Sequence, residues 1–233
     1  MVEHRDLISG LSEGYSSQMY ASRDEARQPG EISKSGASVP ASAPASSHEA
    51  VILSTKRLTL RPPHERDLEQ LVELANNPRV AKNLGTMPHP YTREDGLNWI
   101  SMGNNARERT KVFAITDRFD DSFLGACAYH PMMEHRERTA IGYWLGEPYW
   151  GEGLAAEATQ AMIDYAFDYE PIQDIWVTAR TSNYQSKRVI EKCGFQFVHN
   201  GMAPSVAVGG MVPIDYFSLS RKTWESLHSW GSR

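Results

Sequence analysis

Two glycines one residue apart, Gly151 and Gly153, stand in the stretch YWGEGLAAEA, followed by small residues and an apolar-periodic segment. A helix starting here presents unpaired N–H groups and a partial positive charge at its first turn, and glycines let an anion reach them without meeting a Cβ. The chemistry that fits is phosphate binding. A tight strand-to-helix turn would use the same glycines, so the spacing alone leaves both readings open. Gly151, Gly153 and Ala156 also satisfy a dinucleotide fingerprint, but that motif requires an acidic residue at the end of the next strand. Here Asp174 precedes the run IWVTA, and Ala179 and Arg180 end it. The fingerprint also tends to open its domain, whereas roughly a hundred folded residues come before this one. A Walker A lysine is absent as well, so ATP hydrolysis has no support.

A second constellation lies in TSNYQSKRVIEKCGF. Asn183 can cap a helix whose inner face is Val189, Ile190 and Cys193 and whose C-terminus is closed by Gly194. Local structure does not account for Ser186 beside the basic pair Lys187 and Arg188 on the first turn, for which a solvated basic face is the plain alternative. Cys193 points inward and has no histidine near it in sequence, so it reads as core and not as a nucleophile. His130 and His135 lack both a further ligand set and i, i+4 helical spacing, so no metal site is expected.

The elements that must position these residues follow from periodicity. AVILSTKRLTLRPP reads as a first strand broken by Pro62 and Pro63. HERDLEQLVELANNP is helical, with Leu68, Leu71, Val72 and Ala75 at helical spacing and Asn77 before Pro78 as its end. YTREDGLNWISM starts a second helix, with Thr92 as N-cap and Asp95 three residues on. KVFAITD and FLGACAYH form an antiparallel hairpin around RFDDS, and TAIGYWLG follows as a third strand. Then come a helix from Leu154 to about Tyr169, with Leu154, Ala158, Ala161, Met162, Tyr165, Ala166 and Tyr169 on one face, the strand DIWVTA, a helix from Tyr184 to Cys193, and the strands GFQFVH and PIDYFSLS. The fold class expected is a mixed α/β domain.

The chain has 233 residues, enough for one core of ordinary size. Its net charge of −5 and pI near 5.9 lack the footprint of a general nucleic-acid binder. Two distant cysteines, Cys127 and Cys193, argue against a disulfide framework and for a reducing compartment. The first thirty residues hold no apolar run suited to a signal peptide or a membrane span, so a soluble cytoplasmic protein with no membrane partner is expected. The stretch SKSGASVPASAPASS is almost all small, polar or proline. Residues 1–50 therefore read as a disordered extension and linker, and 51–233 as the folded domain.

From about Ile52 to Trp224 the chain resembles a GCN5-related N-acetyltransferase (GNAT) of the branch that acetylates ribosomal-protein N-termini. The likeness rests on LSTKRLTLRPP, IGYWLGEPYWGEGLAAEA, NYQSKRVIEKCGF and DYFSLSRKTWE, in that order. It implies a mixed, mostly antiparallel central sheet flanked by helices, and acetyl-CoA as the donor. The pyrophosphate would lie on the backbone N–H groups of Gly151, Glu152, Gly153, Leu154, Ala155 and Ala156. Trp150 fills a position that is Gln or Arg in much of the superfamily. Asn183 would bond the pantetheine arm, Ser186 would lie near the thioester sulfur, and Arg188 would lie toward the nucleotide phosphates. The strand IGYWLG would splay from its neighbour near Gly146, exposing an N–H around Leu145 to polarise the thioester.

Acetyl transfer needs a neutral amine, a donor to the developing oxyanion and a way to discharge the thiolate. Ser186 is the candidate for the last task, with Tyr184 in reserve. Many relatives carry a glutamate just before Ile-Gly-Tyr, where this chain has Thr139 and Ala140. Glu147, His89 or a water chain are the replacements as base. The segments NNPRVAKNLGTMPHPYT and PMMEHRERT are expected as walls of the acceptor pocket. The acceptor itself is an amine, either a small molecule or a protein N-terminus, and a homodimer is left open. The rival reading is a non-catalytic acyl-CoA-binding or regulatory module of the same fold.

Overall fold

The computed structural model describes residues 51–105, 110–132 and 135–231. The extension expected over 1–50 lies outside them. Eight strands run β1 (Leu53–Ser54), β2 (Leu58–Arg61), β3 (Lys111–Asp117), β4 (Phe123–Pro131), β5 (Thr139–Leu145), β6 (Asp174–Arg180), β7 (Gln196–Ser205) and β8 (Gly210–Ser220). The helices are α1 (Leu68–Ala75), α2 (Pro78–Ala81), α3 (Arg93–Asn104), α4 (Leu154–Tyr169), α5 (Tyr184–Lys192) and α6 (Arg221–Gly231).

The strands form one sheet in the order β1-β2-β3-β4-β5-β6-β8-β7. Every neighbouring pair is antiparallel except β5 and β6. That pair is joined by α4, the long crossover which parallel strands require. The mixed α/β expectation holds, including the hairpin of β3 with β4 and the Thr92–Asp95 capping box that opens α3.

The structure departs from the sequence reading at several elements. The first strand is two, because the Thr55 amide donates to the Leu58 carbonyl (2.9 Å) and closes a turn between β1 and β2. Asn77 does more than end α1, since its side chain accepts from the Arg79 amide (2.8 Å) and caps α2. The helix α6 follows β8 directly. Its Trp224 packs on Phe167 with ring centroids 5.2 Å apart, so α4 is covered on a flank as well as against the sheet. Consequently Ile163 and Phe167 are buried, while Tyr169 is 74% exposed instead of lying in the core.

The main core lies between the sheet and α4 and α5, with Leu58, Phe113, Tyr129, Ile141, Met162 and Ile190 among its buried side chains. A second core seats α1, α2 and α3 on the other face, over β3 and β4. The part of that second face around Trp176 and Tyr216 carries no helix of its own and becomes one half of a cleft.

Candidate active site

Strands β5 and β6 are paired only from Thr139 to Ile141, against Ile175 to Val177. Beyond that, β5 stays with β4 as far as Leu145, whereas β6 stays with β8 as far as Arg180. The sheet therefore opens at Gly142, earlier along β5 than the expected position near Gly146. Gly146 donates its N–H toward β4, to the Leu124 carbonyl at 2.9 Å. Backbone direction alternates along a strand, so the N–H groups of Leu145 and Tyr143 face the gap. The outer end of the gap is closed by Trp150, whose indole N–H donates to the Leu145 carbonyl (2.8 Å).

Below the gap the chain turns into α4. Gly151 and Gly153 adopt φ of 85° and 81°, left-handed values that favour glycine, and Gly153 is an N-cap with no side-chain cap. The Glu157 amide makes the first intrahelical bond, to the Gly153 carbonyl. The N–H groups of Leu154, Ala155 and Ala156 lie in the first turn, ahead of that bond, and these residues line the cleft. Nothing lies within 4 Å of where a Cβ on Gly151 would sit, which leaves room for an anion.

The loop is held from outside by Arg57, which the sequence reading passed over. Arg57 donates through Nη1 to the Glu152 carbonyl (3.0 Å) and through its amide and Nε to Glu157 (both 2.8 Å), while the Thr55 hydroxyl reaches the same carboxylate at 2.6 Å. Burial works against the Glu157 carboxylate, yet the bonds from Thr55 and Arg57 outweigh it and hold its pKa below the usual range.

Helix α5 supplies the opposite wall. The Asn183 side-chain oxygen accepts from the Ser186 amide (3.1 Å), so the amide nitrogen of the same side chain is left for the cleft it lines. Ser186 Oγ lies 3.0 Å from the Tyr143 hydroxyl, a partner on β5 that the sequence reading missed. Burial pushes the Tyr143 phenol well above its usual pKa against the opposing bond from Ser186, so it stays protonated. The basic pair divides its work. Lys187 pairs with the buried Asp215 on β8, while Arg188 lines the cleft together with Lys192, one helical turn further on.

Of the four catalytic candidates, Ser186 alone lines the cleft. Tyr184 is 69% exposed, with the Lys187 ammonium over its ring. His89 is exposed. Glu147 accepts from Asn77 (2.7 Å) and is ion-paired with Arg79, so both its oxygens are engaged away from the gap. Both cysteines are buried, and burial raises the Cys193 thiol to about 11, consistent with a core role.

The cleft encloses about 1550 Å³ and passes through the gap from one face of the sheet to the other. On the α1/α3 side it is walled by Met87, Trp99, Met132, Trp144, Trp176 and Tyr216. The loop after α2 bridges its top: the Val206 amide donates to the Gly85 carbonyl (2.9 Å), and Arg180 donates to the Lys82 carbonyl (2.6 Å). The expected wall around LGTMP is therefore present. Part of the other expected wall, residues 133–134, falls outside the described residues.

The family model of the acetyltransferase (GNAT) domain matches residues 57–196, a span that holds both the glycine loop and the split strand pair. The chain belongs to the GNAT acetyltransferases. It is 28% identical over 174 residues to an uncharacterised N-acetyltransferase, p20, of Bacillus licheniformis, covering 74% of this chain and 97% of that one. Among solved structures, RimL, a ribosomal L7/L12 α-N-protein acetyltransferase in complex with coenzyme A, superposes with a TM-score of 0.62 at 18% identity, covering 73% of this chain and 98% of that one. Spermidine N-acetyltransferase from Vibrio cholerae, in complex with CoA and spermine, gives 0.60 at 16%, over 73% and 99%. This GNAT chain is thus an acyltransferase. Among its described residues no group of three or more His, Cys, Asp or Glu is placed to hold a metal.

Proposed function

We propose that the protein is an N-acetyltransferase in which a primary amine attacks the thioester of acetyl-CoA directly. The observation that carries this reading is the continuity of the cleft. The phosphate cradle and Ser186 lie at one end of it, the aromatic groove at the other, and the gap between β5 and β6 joins them. A donor laid on the first face and an amine entering from the second would meet there. The Gly151–Ala156 backbone would hold the pyrophosphate, and Asn183 the arm. The N–H groups of Tyr143 and Leu145 would face the thioester carbonyl as it gains negative charge. Ser186, bonded to the protonated Tyr143, would protonate the leaving thiolate.

The acceptor in this reading is a small amine or a protein N-terminus, the two classes that the printed names of RimL and the spermidine enzyme represent. The Ser186–Tyr143 pair beside the gap favours turnover over a module that only binds acyl-CoA. The test has two stages. Acetyl-CoA and CoA should raise the thermal midpoint where NAD and ATP do not. Thiol release should then depend on added amine. Binding of acetyl-CoA without amine-dependent thiol release would overturn the catalytic reading.

A further inference from the structure

Three side chains or side-chain positions stand in one row across the sheet on the groove side. His130 on β4 is paired with Ala140 on β5, and Ala140 with Trp176 on β6. Side chains in one row share a face, so the imidazole and the indole flank the Ala140 methyl, with backbones about 10 Å apart across two strand spacings. The next position of that face along β5 is Gly142, where the sheet splits. A Cβ there would meet nothing within 4 Å. The row thus forms a seat with a small floor and two aromatic walls, open at one end onto the gap. His130, Ala140, Gly142 and Trp176 all line the cleft.

The two walls differ in what they offer the cleft. His130 Nδ1 lies 2.9 Å from the Pro131 carbonyl. A carbonyl can only accept, so Nδ1 carries the proton and Nε2 of the neutral ring keeps its lone pair. Trp176 is 8% exposed, and its indole N–H is buried with no hydrogen-bond partner. That nitrogen is sealed from the cleft, so the indole offers the seat its ring and not its N–H.

We propose, resting on the N-acetyltransferase reading above, that the acceptor amine sits over Gly142 between these walls and that His130 Nε2 is the base that takes its proton. The Trp176 ring then packs against the carbon chain that carries that amine. In the first step an ammonium N–H bond breaks and its proton passes to Nε2, with Nδ1 still bonded to the Pro131 carbonyl. The nitrogen lone pair attacks the thioester carbon, and the C–S bond breaks. The proton that nitrogen sheds on becoming an amide balances the one the thiolate takes up. The first proton leaves His130 for solvent.

Electrostatics favour this use of the ring. Desolvation lowers the His130 pKa below 6.5 against the opposing bond to Pro131, so the ring is neutral near pH 7. The same desolvation lowers the pKa of an amine brought into the seat, which eases the transfer. The other titratable groups lining this half of the cleft are Tyr91, Asp95 and Tyr216, and Asp95 accepts from the Thr92 amide and hydroxyl. Arg138 lies over the Trp176 ring, 4.5 Å from its centroid.

The test compares wild type, His130→Gln and Trp176→Phe by thiol release from acetyl-CoA between pH 5.5 and 10. The amines are glycinamide, a tripeptide amide with N-terminal serine, tyramine and spermidine. His130→Gln should lower kcat/KM at pH 7 by about 10²-fold or more and abolish the acidic limb below pH 6.5. The deficit should shrink as pH nears the amine's own pKa, while the thermal shift with acetyl-CoA is unchanged. Trp176→Phe, which keeps an aromatic wall, should leave KM for all four amines within about twofold of wild type. An equal loss at every pH, or an unaltered profile, overturns the role of His130 alone. No turnover of any amine by wild type overturns the function reading and this one with it. Should His130→Gln fail to fold, 15N spectra of the wild-type histidines decide: a neutral Nε2–H tautomer at His130 refutes the proposal, and Nδ1–H supports it.

Discussion

Arg57 and Glu157, a hundred residues apart in sequence, are joined by bonds from the Arg57 amide and Nε (both 2.8 Å) and a contact from Nη2 (2.7 Å). The same guanidinium reaches the Glu152 carbonyl, so the β1–β2 turn, the glycine loop and the first turn of α4 are fixed to one another. The clamp lies outside the cleft and touches nothing that would react. It is a positioning device, and under the proposed function it would hold the loop's N–H groups toward an incoming phosphate.

Arg57→Ala should therefore weaken acetyl-CoA binding while sparing the chemical step. Losing a charge-assisted hydrogen bond worth about 1.5 kcal/mol corresponds to a roughly tenfold rise in KM for acetyl-CoA. Steady-state kinetics would check it, with kcat at saturating donor expected within about twofold of wild type. A large fall in kcat with KM unchanged would show that the clamp does something else.

The Tyr143 hydroxyl lies 3.0 Å from the Ser186 hydroxyl and also donates to the Ser186 carbonyl (3.3 Å), so the losses from removing the two hydroxyls should not add. Ser186→Ala is expected to lower kcat by about 10²-fold with acetyl-CoA affinity nearly unchanged, and Tyr143→Phe by less. The double variant should resemble Ser186→Ala, because the phenol acts through the serine. Equal losses in kcat and in donor affinity for Ser186→Ala would remove the serine from the chemistry.

The helix termini were the most legible part of the site. The positive φ of Gly151 and Gly153 and the capping by Asn183 come from local backbone chemistry, which spacing reports, and α4 begins at Leu154 as its periodicity indicates. The gap was visible only as a likeness, and its starting point was misplaced. Where β6 leaves β5 depends on which strand each follows afterwards, and that is set by the long-range pairing of β6 with β8. Arg57, Tyr143 and Lys192 were missed for the same reason. Each acts across the fold, and nothing in KR, GYW or EKC predicts a partner on another element. Lys187 and Arg188 form a uniform basic pair in sequence, yet Asp215 claims the first and the cleft the second. The face of α4 was misjudged because α6, whose run RKTWESLHSWG is mostly polar, covers a flank that the periodicity leaves to solvent.

The pairing of Lys187 with Asp215 makes stability depend on pH. Burial alone would raise the Asp215 pKa, but bonds from Lys187, Asn200 and Thr181 outweigh it and hold the carboxyl below its ordinary value. A depressed folded pKa means that the contribution is fully present above the unfolded value of 3.8 and is lost as pH falls through the folded one. Denaturant midpoints should therefore drop below about pH 4 for wild type. Lys187→Ala, which leaves a buried carboxylate without its partner, should cost about 3 kcal/mol at pH 7 and less as pH falls below 4. A pH-independent loss would show that the lysine stem, not its charge, supports the helix.

Arg188 and Lys192 project from one side of α5 at the mouth of the cleft, one turn apart, and both side chains are exposed. Charges so placed would meet the outer phosphate of CoA while the cradle holds the pyrophosphate. Exposed pairs are worth about 0.2–1 kcal/mol, so each alanine variant should raise KM for acetyl-CoA only about two- to fivefold, with kcat unchanged. The effect should fade between 50 and 500 mM salt as screening shortens the reach of each charge. The decisive comparison uses acetyl-dephospho-CoA, which lacks the 3′-phosphate. Wild type and variants should bind that donor alike, because the group these cations would contact is gone. If the variants lose as much affinity for the dephosphorylated donor, the two cations act on the helix or on the pyrophosphate instead.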